Sequence, residues 1–276
     1  MRDELEAPWL ADSVRALAPF GKDHRVLDLG CGGGLGPLIN TPGLGTYVGV
    51  DFRTPDFVLP GEHVLHDLRD GLGPVGDTPF DLYVAGFGLA SHLAPGQLRR
   101  VLGDIARHAR PGALVAVEAL GLFSLEWPRL WDTVPGHGRT LSYALEHDVE
   151  VHPWAPAELT RLLESAGIRP LHMLDRSIQT GPKLCDGRYW PGLPALRPAL
   201  VGLWEGEAPA PALTATLPPL PAGAAAAAHQ RLAARRRAVV TNPVNDPAEL
   251  AHAIWALEHG SGGGFGHGLL AVGRVA

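Results

Sequence analysis

The chain has 276 residues, 46% hydrophobic and 19% charged, which excludes wholesale disorder and leaves enough apolar side chain for a sizeable core. Its formal net charge of −6 disfavours an extended nucleic-acid surface, because phosphate binding needs a basic face. Two cysteines, Cys31 and Cys185, exclude a disulfide framework and provide no metal-ligand spacing, so no metal site and a reducing, cytoplasmic setting are expected. The N-terminal MRDELEAPWL lacks the basic and apolar regions of a signal peptide, and no apolar run approaches the roughly 20 residues of a membrane span, so the expectation is a soluble chain off the membrane.

Taken in order, Leu10, Val14 and Leu17 predict a helix over 7–18. A first strand at 24–29 ends on Asp28-Leu29, and the short helix after it stops at Thr41-Pro42-Gly43. Strands follow at 46–51 (TYVGVD), about 62–66 and 80–85. Leu98, Val101, Leu102, Ile105 and Ala109 form one stripe of a helix over 95–109, closed by Pro111-Gly112. A fifth strand spans 113–119, an irregular aromatic segment 122–153, a helix 156–166 and a sixth strand 169–175. Strands nearly all apolar, alternating with helices, predict a parallel sheet covered on both faces.

The composition changes at about residue 181. A Pro/Gly/Trp-rich loop and an Ala/Pro stretch precede a helix over AGAAAAAHQRLAARRR, with its arginines at a solvated C-terminal end. Asp246 caps a further helix carrying Leu250, Ile254 and Leu257, closed by Gly260; GSGGG reads as a flexible turn. Residues 268–275 read as a last strand. The expected organisation is therefore a core over 1–180, an insertion over 181–265 that is partly helical and partly irregular, and a return to the core sheet over 266–276.

The chemistry centres on RVLDLGCGGGLG at 25–36. A strand, a glycine turn and a helix start make a nucleotide site, because glycines let a ligand reach main-chain N–H groups. A dinucleotide fingerprint needs a third glycine where Leu35 or, in the shifted frame, Pro37 stands. Asp51, about 20 residues on, suits the ribose of either kind of adenosine cofactor.

VLDLGCGGG resembles the first motif of class I S-adenosylmethionine-dependent methyltransferases, with Asp28, Gly30, Gly32 and Gly34 in the acid-x-Gly-x-Gly-x-Gly places. GVD at 49–51, HDLRD at 66–70, PFDLYVAGFGLASHL, RPGALVAVEA and WAPAELTRLLESAGI resemble the later segments in order. In place of the usual Thr or Ser cap the last of these has Ala155, and about 85 residues stand where the family has a hairpin before its last strand. The resemblance implies a doubly wound, mostly parallel seven-stranded α/β sheet with an antiparallel last strand and helices on both faces. It also implies S-adenosyl-L-methionine as cofactor. Asp28 would lie near the ligand's cationic amino group, Asp51 would hold the ribose, Asp67 would receive the adenine amino group, and Leu68 would flank the ring. Gly30, Cys31, Gly32, Gly34, Phe52, Gly86 and Phe87 complete the implied cofactor site.

The implied reaction is in-line methyl transfer to O, N or C of a small-molecule acceptor, with RNA or protein methylation and non-catalytic cofactor binding as alternatives. Residues 87–92 and 120–153 would form the substrate walls. His92 and, more weakly, Tyr143 are the candidate catalytic groups, with His147 and His152 behind them; each also has a structural reading as a cap, a packed ring or a loop residue. Trp127 and Trp131 either stack on a planar substrate or form the apolar face of a short helix. Arg235, Arg236 and Arg237 either meet an acidic partner or form a solvated helix end. No Asn-Pro-Pro-aromatic element stands directly after strand four, no cysteine stands directly after strand four or five, and no catechol-type carboxylate group is evident. These absences disfavour three more specialised chemistries. A homodimer is compatible with the sequence.

Overall fold

Apolar residues at helical spacing bury Ala7, Leu10, Ala11 and Val14 on α1 (Ala7–Leu17), which a single π turn over Arg2–Glu6 precedes. The structure, a computed structural model, describes residues 2–18, 23–32, 36–39, 45–55, 61–133, 139–215, 217, 219–242 and 246–276. Gly34, Leu35 and the Thr41-Pro42-Gly43 stop lie outside the described residues. The chain divides into one unit of Met1–Ala119, Gly138–Met173 and Leu270–Ala276, and a second of Leu120–His137 and Leu174–Leu269.

In the first unit, β1 (Arg25–Leu29), α2 (Gly36–Ile39), β2 (Thr46–Asp51), β3 (Glu62–Leu65) and β4 (Leu82–Ala85) follow in turn. Next come α3 (Leu89–His92), α4 (Pro95–His108) and β5 (Leu114–Leu120), whose last residue falls in the second unit. Strands β3, β2, β1, β4 and β5 are adjacent in that order, each pair parallel. β1, β4 and β5 are buried almost along their whole length, as strands covered on both faces must be. The chain runs outward from β1 to β3 and then returns to β4 on the other side of β1, so the strand order reverses between β1 and β4. An open α/β sheet places its ligand at the carboxyl ends of the strands at such a reversal.

The expectation of an irregular 122–153 is corrected at its far end. β6 (Leu141–Ala144) and β7 (Asp148–Val151) form an antiparallel hairpin, with Tyr143 opposite Val149. α5 (Pro156–Ser165) begins at Ala155, and the missing hydroxyl cap is replaced from the third helical position: Glu158 Oε2 accepts from the Ala155 amide at 3.0 Å. β8 (Ile168–Arg176) follows, and its last three residues belong to the second unit.

In the second unit, α6 (Leu196–Trp204) buries Leu196, Leu200 and Leu203, and α7 (Pro211–Thr214) buries Leu213. Neither was expected, because prolines and tryptophans mark the surrounding sequence as loop; Pro198 sits in the first turn of α6, where a proline is tolerated. α8 (Ala224–Thr241) and α9 (Pro247–Leu257) lie where periodicity puts them, and Asp246 Oδ1 accepts from the Ala248 amide at 2.9 Å. Gly260 does not close α9. It lies in β9 (His259–Ser261), antiparallel to the end of β8. Gly263 and Gly264 of the following turn donate to the Asp175 carboxylate at 2.8 and 3.0 Å, so the expected flexible turn is pinned.

β10 (Gly268–Val275) completes the order β3-β2-β1-β4-β5-β10-β8-β9. The Val275 amide donates to Ala113 and its carbonyl accepts from Gly112, pairing the end of β10 with the approach to β5; β10 is therefore antiparallel. The expected seven strands are present and β9 adds an eighth.

Arg236 corrects another expectation. It is 1% exposed rather than solvated, donating from Nη1 to Gln179 Oε1 (2.7 Å) and from Nε to the Leu213 carbonyl (2.9 Å). Glu258, fully buried beside this cluster, accepts at Oε2 from the amides of Gln179 (2.6 Å) and Thr180 (2.9 Å) and from Thr180 Oγ1. Burial pushes its carboxyl well above the usual range, and the charge of Arg236 opposes this.

Candidate functional site

The start of the glycine turn is fastened to β2. Gly30, at φ +65°, donates to the Val50 carbonyl at 2.8 Å, and Cys31 donates to the same oxygen at 3.2 Å. A side chain at Gly30 would meet Leu89 Cδ1 at 2.8 Å, so the turn lies directly against α3 and the segment after β4. The Gly32 amide donates to Asp51 Oδ2 at 3.0 Å, and a Cβ at Gly32 would stand 2.8 Å from that oxygen. Asp51 Oδ1 accepts from the Arg53 amide at 2.9 Å. Each oxygen of Asp51 keeps a second lone pair for a further donor.

Asp28 is 2% exposed and accepts from Tyr47 Oη at 2.7 Å. Burial pushes its carboxyl up to about 7; the Tyr47 hydrogen bond opposes this and the charge of Asp51 adds to it. Burial also raises the Cys31 thiol, to about 12, which keeps it protonated.

Because its folded pKa is raised, the stability that Asp28 contributes is complete below its unfolded value near 4 and is lost as pH rises through about 7. Asp28→Asn is therefore expected to stabilise the ligand-free protein at pH 8 by on the order of 1–4 kcal/mol, raising its melting temperature, and to change its stability little near pH 4. Thermal unfolding at the two pH values decides this; equal shifts at both would remove Asp28 as the titrating group.

Asp67 caps the single 3-10 turn Leu68–Asp70, accepting from the Arg69 amide at 2.9 Å. The Arg69 guanidinium also holds both its oxygens and keeps the carboxyl below its ordinary range. An adenine amino group would have to share that carboxylate with Arg69. Leu68 is buried, and the His66 amide ties the end of β3 to the Asp51 carbonyl at 2.9 Å. Phe52 is 57% exposed, with the Arg53 guanidinium 4.9 Å above its ring.

After β4 the backbone takes two left-handed residues in succession, Phe87 at φ 51° and Gly88 at 75°. An aromatic residue held there costs about 1–2 kcal/mol, and such outliers gather at functional turns. Gly86 precedes them, its carbonyl accepting from the Leu89 amide. The hairpin then brings the two catalytic candidates together. The His152 amide donates to the Ser91 carbonyl at 2.8 Å, and the His92 and Tyr143 rings meet edge to face with centroids 6.0 Å apart. His92 is half-buried and Tyr143 buried, while His147 is exposed near the tip of the hairpin.

Trp127 and Trp131 are buried in the second unit. Their Nε1 atoms donate to the carbonyls of Gly121 (2.8 Å) and Ser124 (3.1 Å), and Trp131 stacks on His229 at 5.3 Å. They flank the short 3-10 turn Pro128–Leu130 as its caps and do not lie on a helical face. The sequence reading also missed two buried pairs. Tyr47 with Asp28 was hidden because an aromatic early in an apolar strand reads as core. Glu126 with His267, in contact through Oε2 and Nδ1 in the second unit, was hidden because 141 residues separate the partners. Among the described residues, no group of three or more His, Cys, Asp or Glu could hold a metal ion, and no helix is long and apolar enough to cross a membrane.

No protein-family model and no curated protein matches the chain. Solved structures do. The [4+2]-cyclase SpnF superposes over 97% of this chain and 80% of its own, at 17% identity and a TM-score of 0.51. The Burkholderia thailandensis 1,6-didemethyltoxoflavin-N1-methyltransferase, solved with 1,6-didemethyltoxoflavin and S-adenosylhomocysteine, superposes over 62% of this chain and 71% of its own, at 19% identity and a TM-score of 0.47. CalS10, an amino pentose methyltransferase from Micromonospora echinaspora, does so over 63% and 86%, at 18% identity and 0.43. The strand order, the antiparallel β10 and the glycine turn at the reversal give this chain the class I methyltransferase fold.

Proposed function

We propose that this protein is a class I S-adenosylmethionine-dependent methyltransferase acting on a small molecule. The observation that carries the reading is the carboxylate of Asp51 held between the amides of Gly32 and Arg53, with buried Asp28 at the end of the neighbouring strand. An acid at Asp28 suits a cationic amino group and opposes a pyrophosphate, which favours S-adenosylmethionine over a dinucleotide. The net charge of −6 favours a small acceptor over RNA.

Bound S-adenosylmethionine would supply an electrophilic methyl group on a sulfonium. The chain's own part is mainly to hold and orient, which can be worth on the order of 7–11 kcal/mol. Asp51 grips the ribose, Asp28 faces the amino group, and the turn at Gly86–Phe87 closes the site from β4. His92, its ring set by the edge of Tyr143, receives the acceptor's proton where the acceptor must lose one.

Calorimetry with S-adenosylmethionine, S-adenosylhomocysteine and NAD tests the cofactor. Binding of the first two in the micromolar range and none of NAD is expected; the reverse, or no binding at all, sinks the reading. A panel of small-molecule acceptors, followed by S-adenosylhomocysteine release, tests the chemistry. Cofactor binding with no turnover on any acceptor would leave a binding protein; strong, salt-sensitive retention on RNA would move the acceptor to nucleic acid. With an acceptor in hand, His92→Ala is expected to lower kcat by about 10²–10⁴-fold while leaving S-adenosylhomocysteine affinity within about threefold. An unchanged kcat would return His92 to a packing role.

A further inference from the structure

The carboxylate of Asp28 is held by a side chain that the reading above does not use. Tyr47 lies near the start of β2, level with Val26 on β1, and its phenol reaches forward two residues along that strand to place Oη 2.7 Å from Asp28 Oδ2. Both residues are buried, at 3% and 2% exposure. The ring has no room to withdraw: a Cβ on Gly36, the first residue of α2, would stand 2.4 Å from Oη and 2.9 Å from Cζ. We propose that Tyr47 is a positioning residue for the cofactor, its hydroxyl fixing Asp28 to receive the ligand's cationic amino group and setting the pH at which the ligand binds. This rests on the reading that the site takes S-adenosylmethionine.

Tyr47 Oη donates in this hydrogen bond and Asp28 Oδ2 accepts. Burial first, and then the charge of Asp28, keep the phenol protonated at working pH. A donor on a carboxylate favours its ionised form. Asp51 works against that form, and the Cys31 thiol beside it stays protonated and brings no charge. Gly49 on β2 and Val84 on β4, which flank Asp28 in the sheet, bring no charge either. Among the described residues, Tyr47 is the group that favours the ionised carboxylate before ligand arrives. An ammonium group needs that ionised acceptor, so its arrival drives a proton off Asp28 whenever the pH lies below the titration midpoint.

The test is the pH profile of S-adenosylhomocysteine binding, by calorimetry from pH 5.5 to 9, on wild type, Tyr47→Phe and Gly36→Ala. For wild type, affinity should rise about tenfold per pH unit up to near neutrality and then level, with about one proton released at pH 6 in buffers of different ionisation heat. Tyr47→Phe should move the midpoint up by about one pH unit or more, with affinity returning to within about threefold of wild type above the new midpoint. Gly36→Ala, which displaces the phenol from a different element, should move it the same way, and carries the test if Tyr47→Phe does not fold. A second readout needs no ligand. Melting temperature against pH should differ in shape between wild type and Tyr47→Phe, and that difference should vanish in an Asp28→Asn background. Variant profiles with the wild-type midpoint, whether unchanged or uniformly weakened, would overturn the proposal and leave Tyr47 as packing. No binding by wild type at any pH would instead overturn the cofactor reading, and the proposal with it.

Discussion

Asp51→Ala is expected to weaken S-adenosylhomocysteine binding by about 100-fold or more. Two hydroxyl groups on one carboxylate make hydrogen bonds to a charged acceptor, each contributing roughly 1.5–3 kcal/mol, and about 1.4 kcal/mol is a factor of ten. The same carboxylate holds the Gly32 and Arg53 amides, so its removal also loosens the glycine turn. Asp51→Asn separates the two contributions. It keeps an acceptor for Gly32 and loses the charge, and a smaller loss of roughly tenfold is expected. Calorimetry reads both variants, with circular dichroism as the check that the sheet is intact. Binding of Asp51→Ala at wild-type affinity would remove the ribose from the end of β2 and the proposed site with it.

The second large effect belongs to the other unit and concerns stability. Glu258→Ala leaves two buried amides and a hydroxyl at Gln179 and Thr180 without their acceptor, and takes away the charge that offsets buried Arg236. Removing one partner of a buried charged cluster costs about 3–5 kcal/mol. At roughly 2–4 °C per kcal/mol for a domain of this order, the melting temperature should fall by about 6–20 °C. Glu258→Gln, which keeps an acceptor oxygen, should fall by less. A wild-type melting temperature for Glu258→Ala, read by calorimetry, would mean that water reaches and satisfies these groups.

These two predictions draw on information of different kinds. Asp51 was legible in the chain because its place is local: the end of an apolar strand, a fixed distance after a glycine turn. The same holds for β1 to β5, β8 and β10 and for α4, α5 and α9, whose periodicity is written within a dozen residues. Glu258 was not legible. Its partners at Gln179 and Thr180 lie almost 80 residues away, and in sequence it is one more acid at the end of a helix. Arg236 was misread for the same reason. An arginine run at a helix end is ordinarily solvated, and only the carbonyl of Leu213 and the amide of Gln179 waiting inside the fold reverse that.

The candidate site divides along the same line. By itself the sequence determined the parallel α/β sheet, the glycine turn after β1, and the two carboxylates Asp28 and Asp51 at neighbouring strand ends. Short-range sterics and strand register suffice to put them there. Only the tertiary structure decided that Tyr47 closes on Asp28, that Arg69 takes both oxygens of Asp67, and that a hairpin unseen in the sequence carries Tyr143 to His92. It also decided that residues 120–137 fold with the segment from 174 to 269. Each of these depends on which side chains meet when distant stretches pack, and on what burial then does to their charges. No pattern along the chain encodes either.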